Sequence, residues 1–359
     1  MSLSSLLVSP PAGLLHPAPV DPARHTMSRE RLLRYLEIKV HHLIQEQDWD
    51  SIRVVGGYNR TRGISRHEKS GKLFNTERPT AQAYGRNLLV QAFPGADYVQ
   101  HYALIIATYL AMTGRPADTV TYQPPGEEEC RTALDTLDLD LHGDVVIVGW
   151  GLEHLAPRSG VWTQGPGYCW QDAQVGDARV VYLGFRHSIW GDVAGRTVAR
   201  LARLGAGAVV YVGKVGGLNP GTEPNRWLAT GNTSLLGGAL VSWEDFFGDY
   251  ARAQPGVRSG LHVSSPSILL ENQDWLAQHA SYAFVDPEIG PMGAAAQRAG
   301  IPFGYLHVIS NNLASLYPAD LSNERHGDVL HQRAILVDRI ASILTARLTG
   351  GAPLTGATP

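Results

Sequence analysis

Short apolar runs alternate with helical segments in the second half of the sequence, and this rhythm constrains the fold more than any other feature. From Asp144 onward the runs are rich in β-branched residues, and several end in Gly, Ser or Asn: DVVIVGWG, ARVVYLGF, AVVYVGKVGG, GALVSW, GLHVSS, YAFVDPE and PFGYLHVISNN. Helices are predicted between some of them, at Val193–Leu204, Ile268–His279 and Pro291–Ala299. Apolar strands that alternate with helices are typical of a largely parallel sheet covered on both faces. The sequence therefore predicts an α/β fold.

The rest of the chain divides around this α/β region. A length of 359 residues suits one large or two ordinary domains. The predicted division is a disordered leader over 1–26, an N-terminal extension of unassigned helical or mixed fold over 27–140, the α/β domain over 141–350 and a loose tail over 351–359.

Three helices are predicted in the extension, one of them in PGEEECRTALDTL with acidic residues in its first turn, and a fourth is predicted near the end of the chain. Ser28 is a good cap and is followed by leucines at helical spacing, which predicts a helix over Ser28–Gln47. The segment ADYVQHYALIIATYLAMTG predicts a buried helix that ends at Gly114. The segment Asp328–Leu348 predicts a closing helix.

Composition excludes several classes of function. A net charge of −3 does not favour a general nucleic-acid or membrane-surface binder. Cys130 and Cys169 form neither a disulfide framework nor a zinc motif. The longest apolar stretch, Tyr102–Met112, is too short to span a bilayer, and the beginning of the chain lacks the pattern of a secretory signal. We expect a cytoplasmic protein that acts on a small molecule, without nucleic acid, membrane or metal.

The segment VVYVGKVGGLNP indicates an anion site. Its β-branched run is expected to end in a turn made by Gly213, Gly216 and Gly217, whose backbone amides can hold an oxyanion. Lys214 lies inside this turn and is one of only four lysines in the chain. The segment is not a Walker A loop, and GWGLEH lacks the third glycine of a dinucleotide fingerprint. Ligands of such sheets bind at the carboxyl ends of the strands, where these polar residues collect.

Four segments, in the same order along the chain, resemble the nucleoside phosphorylase and nucleosidase superfamily, which includes purine nucleoside phosphorylase, uridine phosphorylase and methylthioadenosine nucleosidase. They are VVIVGWGLEHL, VVYLGFRHSIWGD, GAGAVVYVGKVGGLNP and FVDPEIGPMGAAAQRAGIPFGYLHVISNN. The resemblance covers residues 144–348. It implies a three-layer phosphorylase-like fold with a central mixed sheet flanked by helices, a nucleoside-like substrate, a homo-oligomer of at least two copies, and no organic cofactor, with inorganic phosphate as a candidate co-substrate.

The resemblance also assigns roles to residues on the sugar and base side. Glu288 matches the glutamate that holds the ribose hydroxyls, although the preceding methionine of the family is Pro287 here. Asn311 takes the place of the aspartate that protonates or hydrogen-bonds a purine. An amide cannot give a proton but can donate and accept hydrogen bonds. The base is therefore expected to be a 6-oxopurine, a pyrimidine or an unusual base rather than adenine.

The nucleophile side departs further from the family. Tyr211 and Lys214 stand where several phosphorylases have an arginine and a serine or threonine. We expect Lys214 to hold phosphate or a substrate anion, together with the group Arg186, His187, Ser188, Gly213 and Gly216. If water is the nucleophile, Glu153 or His154 is the candidate base.

Each of these roles has an ordinary structural alternative, such as an exposed turn lysine, a helix-start carboxylate or a strand-ending asparagine. Tyr168, Phe185 and Trp190 are candidates for a base-stacking wall or for the core. The leading interpretation is cleavage or transfer of the N-glycosidic bond of a nucleoside. The alternatives are a nucleoside-binding protein that has lost its chemistry, and a dinucleotide-binding oxidoreductase.

Overall fold

In the computed structural model, residues 13–57, 59–93 and 95–350 are described, and they form two compact units. The first unit comprises Met1–Asp135, His187–Val193 and Ser265–Gln278, and the second comprises Thr136–Arg186, Ala194–Ser264 and His279–Pro359. The sequence suggested a single boundary near residue 140. It did not predict that two short segments of the α/β region belong to the first unit. The predicted tail and residues 1–12 of the predicted leader lie outside the described residues.

A five-stranded mixed sheet with helices forms the first unit. Its strands are β1 (His16–Pro17), β2 (Ser51–Val55), β3 (Thr80–Tyr84), β4 (Asn87–Gln91) and β5 (Val120–Gln123), in the order β1-β5-β2-β4-β3. Its first four helices are α1 (Arg29–Glu37), α2 (His42–Glu46), α3 (Ala96–Met112) and α4 (Glu127–Thr132). The predicted buried helix is confirmed as α3, which is buried over most of its length and is followed by Gly114 at φ 74°.

The helix predicted over Ser28–Gln47 is two helices. Ser28 caps α1 as expected, because its Oγ accepts a hydrogen bond from the Arg31 amide. The chain then turns at His41, whose Nδ1 accepts from the Leu43 amide at the start of α2. The His41 Nε2 lies 2.9 Å from the Gly63 carbonyl oxygen. A buried histidine that bonds the backbone on both sides interrupts the helix, which leucine spacing alone did not reveal.

The described part of the predicted leader is ordered. His16 and Pro17 pair antiparallel with Tyr122 and Thr121 of β5. His25 is buried, and its Nε2 lies 2.9 Å from the Ile268 carbonyl oxygen. The prediction of disorder is therefore wrong for residues 13–26.

A twelve-stranded mixed sheet forms the second unit. Its strands are β6 (Val145–Gly149), β7 (Thr163–Gly165), β8 (Tyr168–Val175), β9 (Ala178–Phe185), β10 (Ala208–Gly217), β11 (Leu228–Thr230), β12 (Thr233–Leu236), β13 (Ala239–Ser242), β14 (Val257–Ser259), β15 (His262–Ser264), β16 (Phe284–Asp286) and β17 (Phe303–Asn312). The central strand β10 is parallel to β6 and β17 and antiparallel to β16, and β6 is parallel to β9. The predicted α/β class with a central mixed sheet is confirmed.

The remaining helices are α5 (Leu152–Leu155), α6 (Asp192–Arg203), α7 (Asp249–Arg252), α8 (Gln273–Gln278, in the first unit), α9 (Ile289–Ala299) and α10 (Gly327–Leu348). The helices predicted at Val193–Leu204, Pro291–Ala299 and Asp328–Leu348 are confirmed as α6, α9 and α10. The helix predicted at Ile268–His279 is shorter, because a single 3-10 turn at Ile268–Leu270 precedes α8. Among the helices of the described residues, none is long and apolar enough to cross a bilayer.

The glycine-rich turn expected after Val212 is not a turn. Strand β10 continues to Gly217, and the whole segment pairs with β17, with a register shift after Val215. Neighbouring side chains explain the glycines, because a Cβ on Gly213 would lie 2.8 Å from His307 Nε2. A Cβ on Gly216 would lie 3.0 Å from both Leu313 Cδ1 and Val285 Cγ1. These glycines therefore serve sheet packing, and their amides lie within the β ladder.

Candidate functional site

The carboxyl ends of four parallel strands lie at one edge of the second unit's sheet. Gly149 at the end of β6 pairs with Val212, and Val148 pairs with Leu183 of β9. Strand β10 and its partner β17 run several residues further, to Gly217 and Asn312. The predicted clustering of strand ends at one edge follows directly from this parallel register.

Glu288 is held at the start of α9 by the preceding strand. It follows β16, and only 8% of its surface is exposed. The Asp286 Oδ1 accepts hydrogen bonds from the backbone amides of Glu288 and Ile289, at 2.9 and 2.8 Å. Asp286 thus satisfies amides that the first turn of a helix leaves without partners. The backbone of Glu288 is fixed by a side chain two residues before it.

The Glu288 side chain is hydrogen-bonded to the hydroxyl of Tyr211 on β10. Burial raises the pKa of Tyr211 well above its usual value, and the nearby carboxylates Glu288 and Asp286 add to the effect. The hydroxyl therefore stays protonated and donates to the carboxylate. The ring of Tyr211 packs edge-on against His307, with centroids 4.5 Å apart. Tyr211, which the sequence marked only as a departure from the family, is part of this site.

Behind Asp286 lies a buried relay that begins at Ser234. The Asp286 amide donates to His262 Nε2 at 2.9 Å, and the same nitrogen lies 3.1 Å from Asp286 Oδ1. The other ring nitrogen of His262, Nδ1, is hydrogen-bonded to Ser234 Oγ at 2.8 Å. All three residues are buried, so Ser234 is not a surface nucleophile. Through these hydrogen bonds, residues of β12, β15 and β16 are connected to the backbone at the start of α9.

Several polar atoms near this relay have no hydrogen-bond partner within the described part of the chain: Asp286 Oδ2, both ring nitrogens of His307 and the hydroxyl of Tyr305. The His307 Nε2 lies 3.6 Å from Asp286 Oδ2. Burial lowers the pKa of His307 to about 4, although the Asp286 charge acts in the opposite direction. Buried polar atoms are costly unless water or a ligand satisfies them. These residues were not predicted from the sequence, in which their signal is a histidine inside each of two apolar strands, GLHVSS and GYLHVIS.

Asn311 lies next to the glycine end of β10. It pairs with Gly216, which in turn pairs with Val285 of β16, the strand that leads to Glu288. The Ser310 hydroxyl donates to Asn311 Oδ1 at 3.2 Å. Asn312 has a structural role instead, because its amide donates to the carbonyl oxygens of Asn219 and Thr222, at 2.9 Å each.

Lys214 lies on the opposite face of the sheet from Glu288. Successive side chains of a strand alternate between faces, so Tyr211 and Gly213 point toward α9 whereas Lys214 points away. The Lys214 ammonium forms an ion pair with Glu324, which also accepts from Arg333 Nη1 at 3.0 Å. The structure therefore does not bring Lys214 and Glu288 together on one face, as a phosphate beneath the sugar would require.

The remaining predicted site residues are dispersed. Glu153 and His154 are exposed on the four-residue helix α5. Arg186, at the end of β9, donates to Gln164 Oε1 at 2.7 Å. His187 and Ser188 belong to the first unit, where the His187 ring packs against Phe93 with centroids 5.2 Å apart. Burial lowers the pKa of His187 to about 4.

Of the aromatic residues considered for base stacking, Tyr168 and Phe185 pack in a core and Trp190 is partly exposed. In the second unit, Tyr168 and Phe185 are buried, and the Tyr168 hydroxyl donates to the Asp138 carbonyl oxygen at 3.2 Å. Trp190 belongs to the first unit, where it stacks on His101 and donates to the Pro266 carbonyl oxygen at 2.8 Å. Their contacts are therefore packing contacts within each unit, not those of a shared base-stacking wall.

A groove of about 470 Å³ lies in the first unit and is lined by Asp48, Asp50, Arg86 and Arg115 among others. Arg115 pairs with Asp48 at 2.6 Å, and Arg86 pairs with Asp50 at 2.8 Å. Because each charge is already compensated, the groove offers no excess charge to a ligand.

No protein-family model matches the chain. A curated protein described as oxidoreductase cns1 of Cordyceps militaris is 27% identical over 235 residues, which cover 58% of this chain. The match spans only 29% of the length of that fungal protein.

Solved structures similar to this chain are nucleosidases and phosphorylases of the superfamily that the sequence resembles. Futalosine hydrolase of Helicobacter pylori is 14% identical, with a TM-score of 0.45, over 58% of this chain and 99% of its own. The 5'-methylthioadenosine/S-adenosyl homocysteine nucleosidase of Campylobacter jejuni is 12% identical, with a TM-score of 0.47, over 58% and 99%. Uridine phosphorylase of Vibrio fischeri is 14% identical, with a TM-score of 0.46, over 58% and 91%.

Proposed function

We propose that this chain is an enzyme that cleaves the N-glycosidic bond of a nucleoside-like substrate, with Glu288 holding the sugar. The observation that carries the proposal is the buried Glu288 carboxylate, fixed through its backbone by Asp286 and through its side chain by Tyr211. A carboxylate in a low-dielectric site is a strong acceptor for paired hydroxyl groups. The position of Glu288 after β16 is also the one that the sequence resemblance assigns to ribose.

The departing base is placed near Asn311 in this proposal. Charge that develops on the base as the C1′–N bond lengthens is stabilised by a hydrogen bond from the Asn311 amide. An amide donates to a carbonyl oxygen or ring nitrogen without transferring a proton. A 6-oxopurine, a pyrimidine or an unusual base therefore remains the proposed base, and the proposed reaction needs no metal or organic cofactor.

Water and phosphate remain the two candidate nucleophiles. The placement of Lys214 on the other face of the sheet favours water, because its ammonium is directed to Glu324 rather than toward the face of Glu288. Glu153 and His154 stay proposed as candidate bases for water, since α5 directly follows the end of β6. Arg186 remains the proposed alternative for placing phosphate.

The test is a panel of purine and pyrimidine nucleosides and their 5′-monophosphates, each incubated with and without inorganic phosphate. Chromatography measures the free base and the sugar product. Base release that needs phosphate and yields a sugar 1-phosphate identifies phosphorolysis, whereas release without phosphate identifies hydrolysis. Binding by calorimetry without any base release would instead support a nucleoside-binding protein. Neither release nor binding across the panel would refute the proposal.

An oxidoreductase is the second candidate, and the name of the fungal relative favours it. A dinucleotide site of the Rossmann type places the pyrophosphate at the N-terminus of a long helix after the glycine turn. Here the turn after β6 leads into α5, which has four residues. Titration with NADH, followed by fluorescence, tests this candidate, and saturable binding at micromolar concentration would support it.

A further inference from the structure

We propose that Lys214, Arg333 and Asn225 form a second, oxyanion-binding site, which Glu324 of the same chain occupies in this structure. The site lies on the face of the second unit's sheet opposite Glu288. It goes beyond the proposed function, because it requires neither Glu288 nor a nucleoside. The ligand class is a phosphate-type oxyanion, either free or carried by a larger molecule.

Two cations from distant parts of the chain converge on one carboxylate oxygen. Lys214 Nζ from β10 and Arg333 Nη1 from α10 both contact Glu324 Oε1. The side chains of Lys214, Glu324 and Arg333 are 30%, 16% and 5% exposed, respectively. A nearly buried guanidinium is costly unless its charge and its donors are matched, so this arrangement constrains what can occupy the site.

Glu324 leaves donors of the site unsatisfied. Arg333 Nε donates to Asn225 Oδ1 at 2.8 Å, which orients the guanidinium. In the described part of the chain, the buried Arg333 Nη2 and Asn225 Nδ2 have no acceptor. Both atoms are donors only, so the missing group is an acceptor. Asn225 itself is fixed in the left-handed region, at φ 59°, by an amide hydrogen bond of 2.7 Å to the Ile309 carbonyl oxygen.

An external phosphate suits these donors better than Glu324 does. A phosphate group carries more negative charge than a carboxylate and offers several strong acceptor oxygens, enough for both cations and for the donors Arg333 Nη2 and Asn225 Nδ2. Glu324 precedes α10 in a segment with its own internal hydrogen bonds, including Asn323 Oδ1 with the Asp320 amide at 2.9 Å. This hydrogen bond does not involve the Glu324 side chain, so it remains when Glu324 is replaced.

The experiment measures the affinity of the full chain for inorganic phosphate by calorimetry. Glu324→Ala removes the internal occupant and is expected to bind phosphate at least tenfold more tightly than the unmodified chain. The double variant Glu324→Ala/Arg333→Met is expected to lose this gain. Glu223→Ala is the matched control, because Glu223 is an exposed carboxylate paired with Arg226 at 3.4 Å in the same unit, and it should leave phosphate affinity unchanged.

Glu324→Gln is measured in parallel, since it keeps the side-chain volume while removing the charge. Equal phosphate affinity in the unmodified chain, Glu324→Gln and Glu324→Ala would overturn the proposal, as would a gain that survives loss of Arg333. Adenosine 5′-monophosphate and adenosine then separate the two sources of the ligand. Displacement of phosphate by the nucleotide but not by adenosine identifies a carried phosphate, and displacement by neither identifies the free anion.

Discussion

Replacing Glu288 by glutamine is the most direct test of the proposed sugar site. The change keeps the volume of the side chain and an oxygen that can accept from Tyr211, but it removes the charge and turns one acceptor oxygen into a donor. The backbone contacts from Asp286 to the start of α9 do not involve the side chain of Glu288, so they remain. The perturbation therefore separates ligand binding from folding.

The expected size of the effect follows from one lost hydrogen bond to a sugar hydroxyl. A charge-assisted hydrogen bond contributes ~1.5–3 kcal/mol, and 1.4 kcal/mol is a factor of ten. We expect kcat/KM to fall by about 10- to 150-fold. The melting temperature should shift by less than about 4 °C, which corresponds to ~1 kcal/mol for a unit of this size.

The assay is base release from whichever nucleoside the panel identifies, at substrate concentrations below KM. Glu244→Gln is the control, because it changes an exposed carboxylate of the same unit and should leave kcat/KM unaltered. Thermal unfolding of each variant confirms that the fold is retained. Undiminished kcat/KM in Glu288→Gln would show that this carboxylate does not hold the sugar, and the residue assignment taken from the resemblance would then be wrong.

Four further expectations test the surroundings of the site. Tyr211→Phe should lower kcat/KM by about 5- to 30-fold while the chain stays folded, since one hydrogen bond of ~1–2 kcal/mol to Glu288 is lost; steady-state kinetics measures this. Gly213→Ala should cost ~1–3 kcal/mol in urea unfolding because its Cβ would lie 2.8 Å from His307 Nε2, whereas Gly327→Ala, with open space around it, should not destabilise. Burial lowers the pKa of His25, His41, His187 and His307 from 6.5 to about 4. The unfolded chain therefore binds more protons between these values, and the urea midpoint should fall as the pH drops from 6.5 toward 4; a flat profile would contradict this. We expect at least a homodimer by light scattering, and a monomer at micromolar concentration would count against it.

The sequence predicted the central architecture of the second unit because its strands are buried on both faces. Continuous apolar runs such as those of β6, β9 and β17 can be recognised without knowing their neighbours. The hairpin of β7 and β8 was not predicted, and in the first unit only β2 and β5 had a strand signal, in SIRVVGG and DTVTYQ, so its five-stranded sheet was not predicted. Strand β3, TAQAY, carries little apolar signal, and β1 has only two residues. Such strands are defined by their pairing partners rather than by their own composition.

The candidate site shows the same limit at the level of single residues. The sequence places Glu288 between an apolar strand and a helix, as the structure has it, but its role was assigned only by the resemblance and stays a prediction. The role of Lys214 depended on whether GKVGG is a turn or a strand, and glycines favour a turn when only local sequence is considered. The long side chains of His307 and Leu313, which lie far along the chain, fill the space above these glycines and make the strand possible. Only tertiary contacts contain that information.

The second unit buries three polar residues, Ser234, His262 and Asp286, where apolar side chains could also fill the space. Their hydrogen bonds to one another suggest why they are polar. Buried ionic and polar groups seldom add net stability over well-packed apolar side chains, but they can fix one geometry. From Ser234 through His262 to the Asp286 amide, each hydrogen bond determines the orientation of the next group. The Asp286 side chain then fixes the first turn of α9 through Oδ1, so four elements rather than one loop determine the position of the Glu288 backbone. In the proposed function this carboxylate meets two hydroxyl groups of the sugar and needs such constraint, because an error of about 1 Å in its position can cost as much as 100-fold in rate.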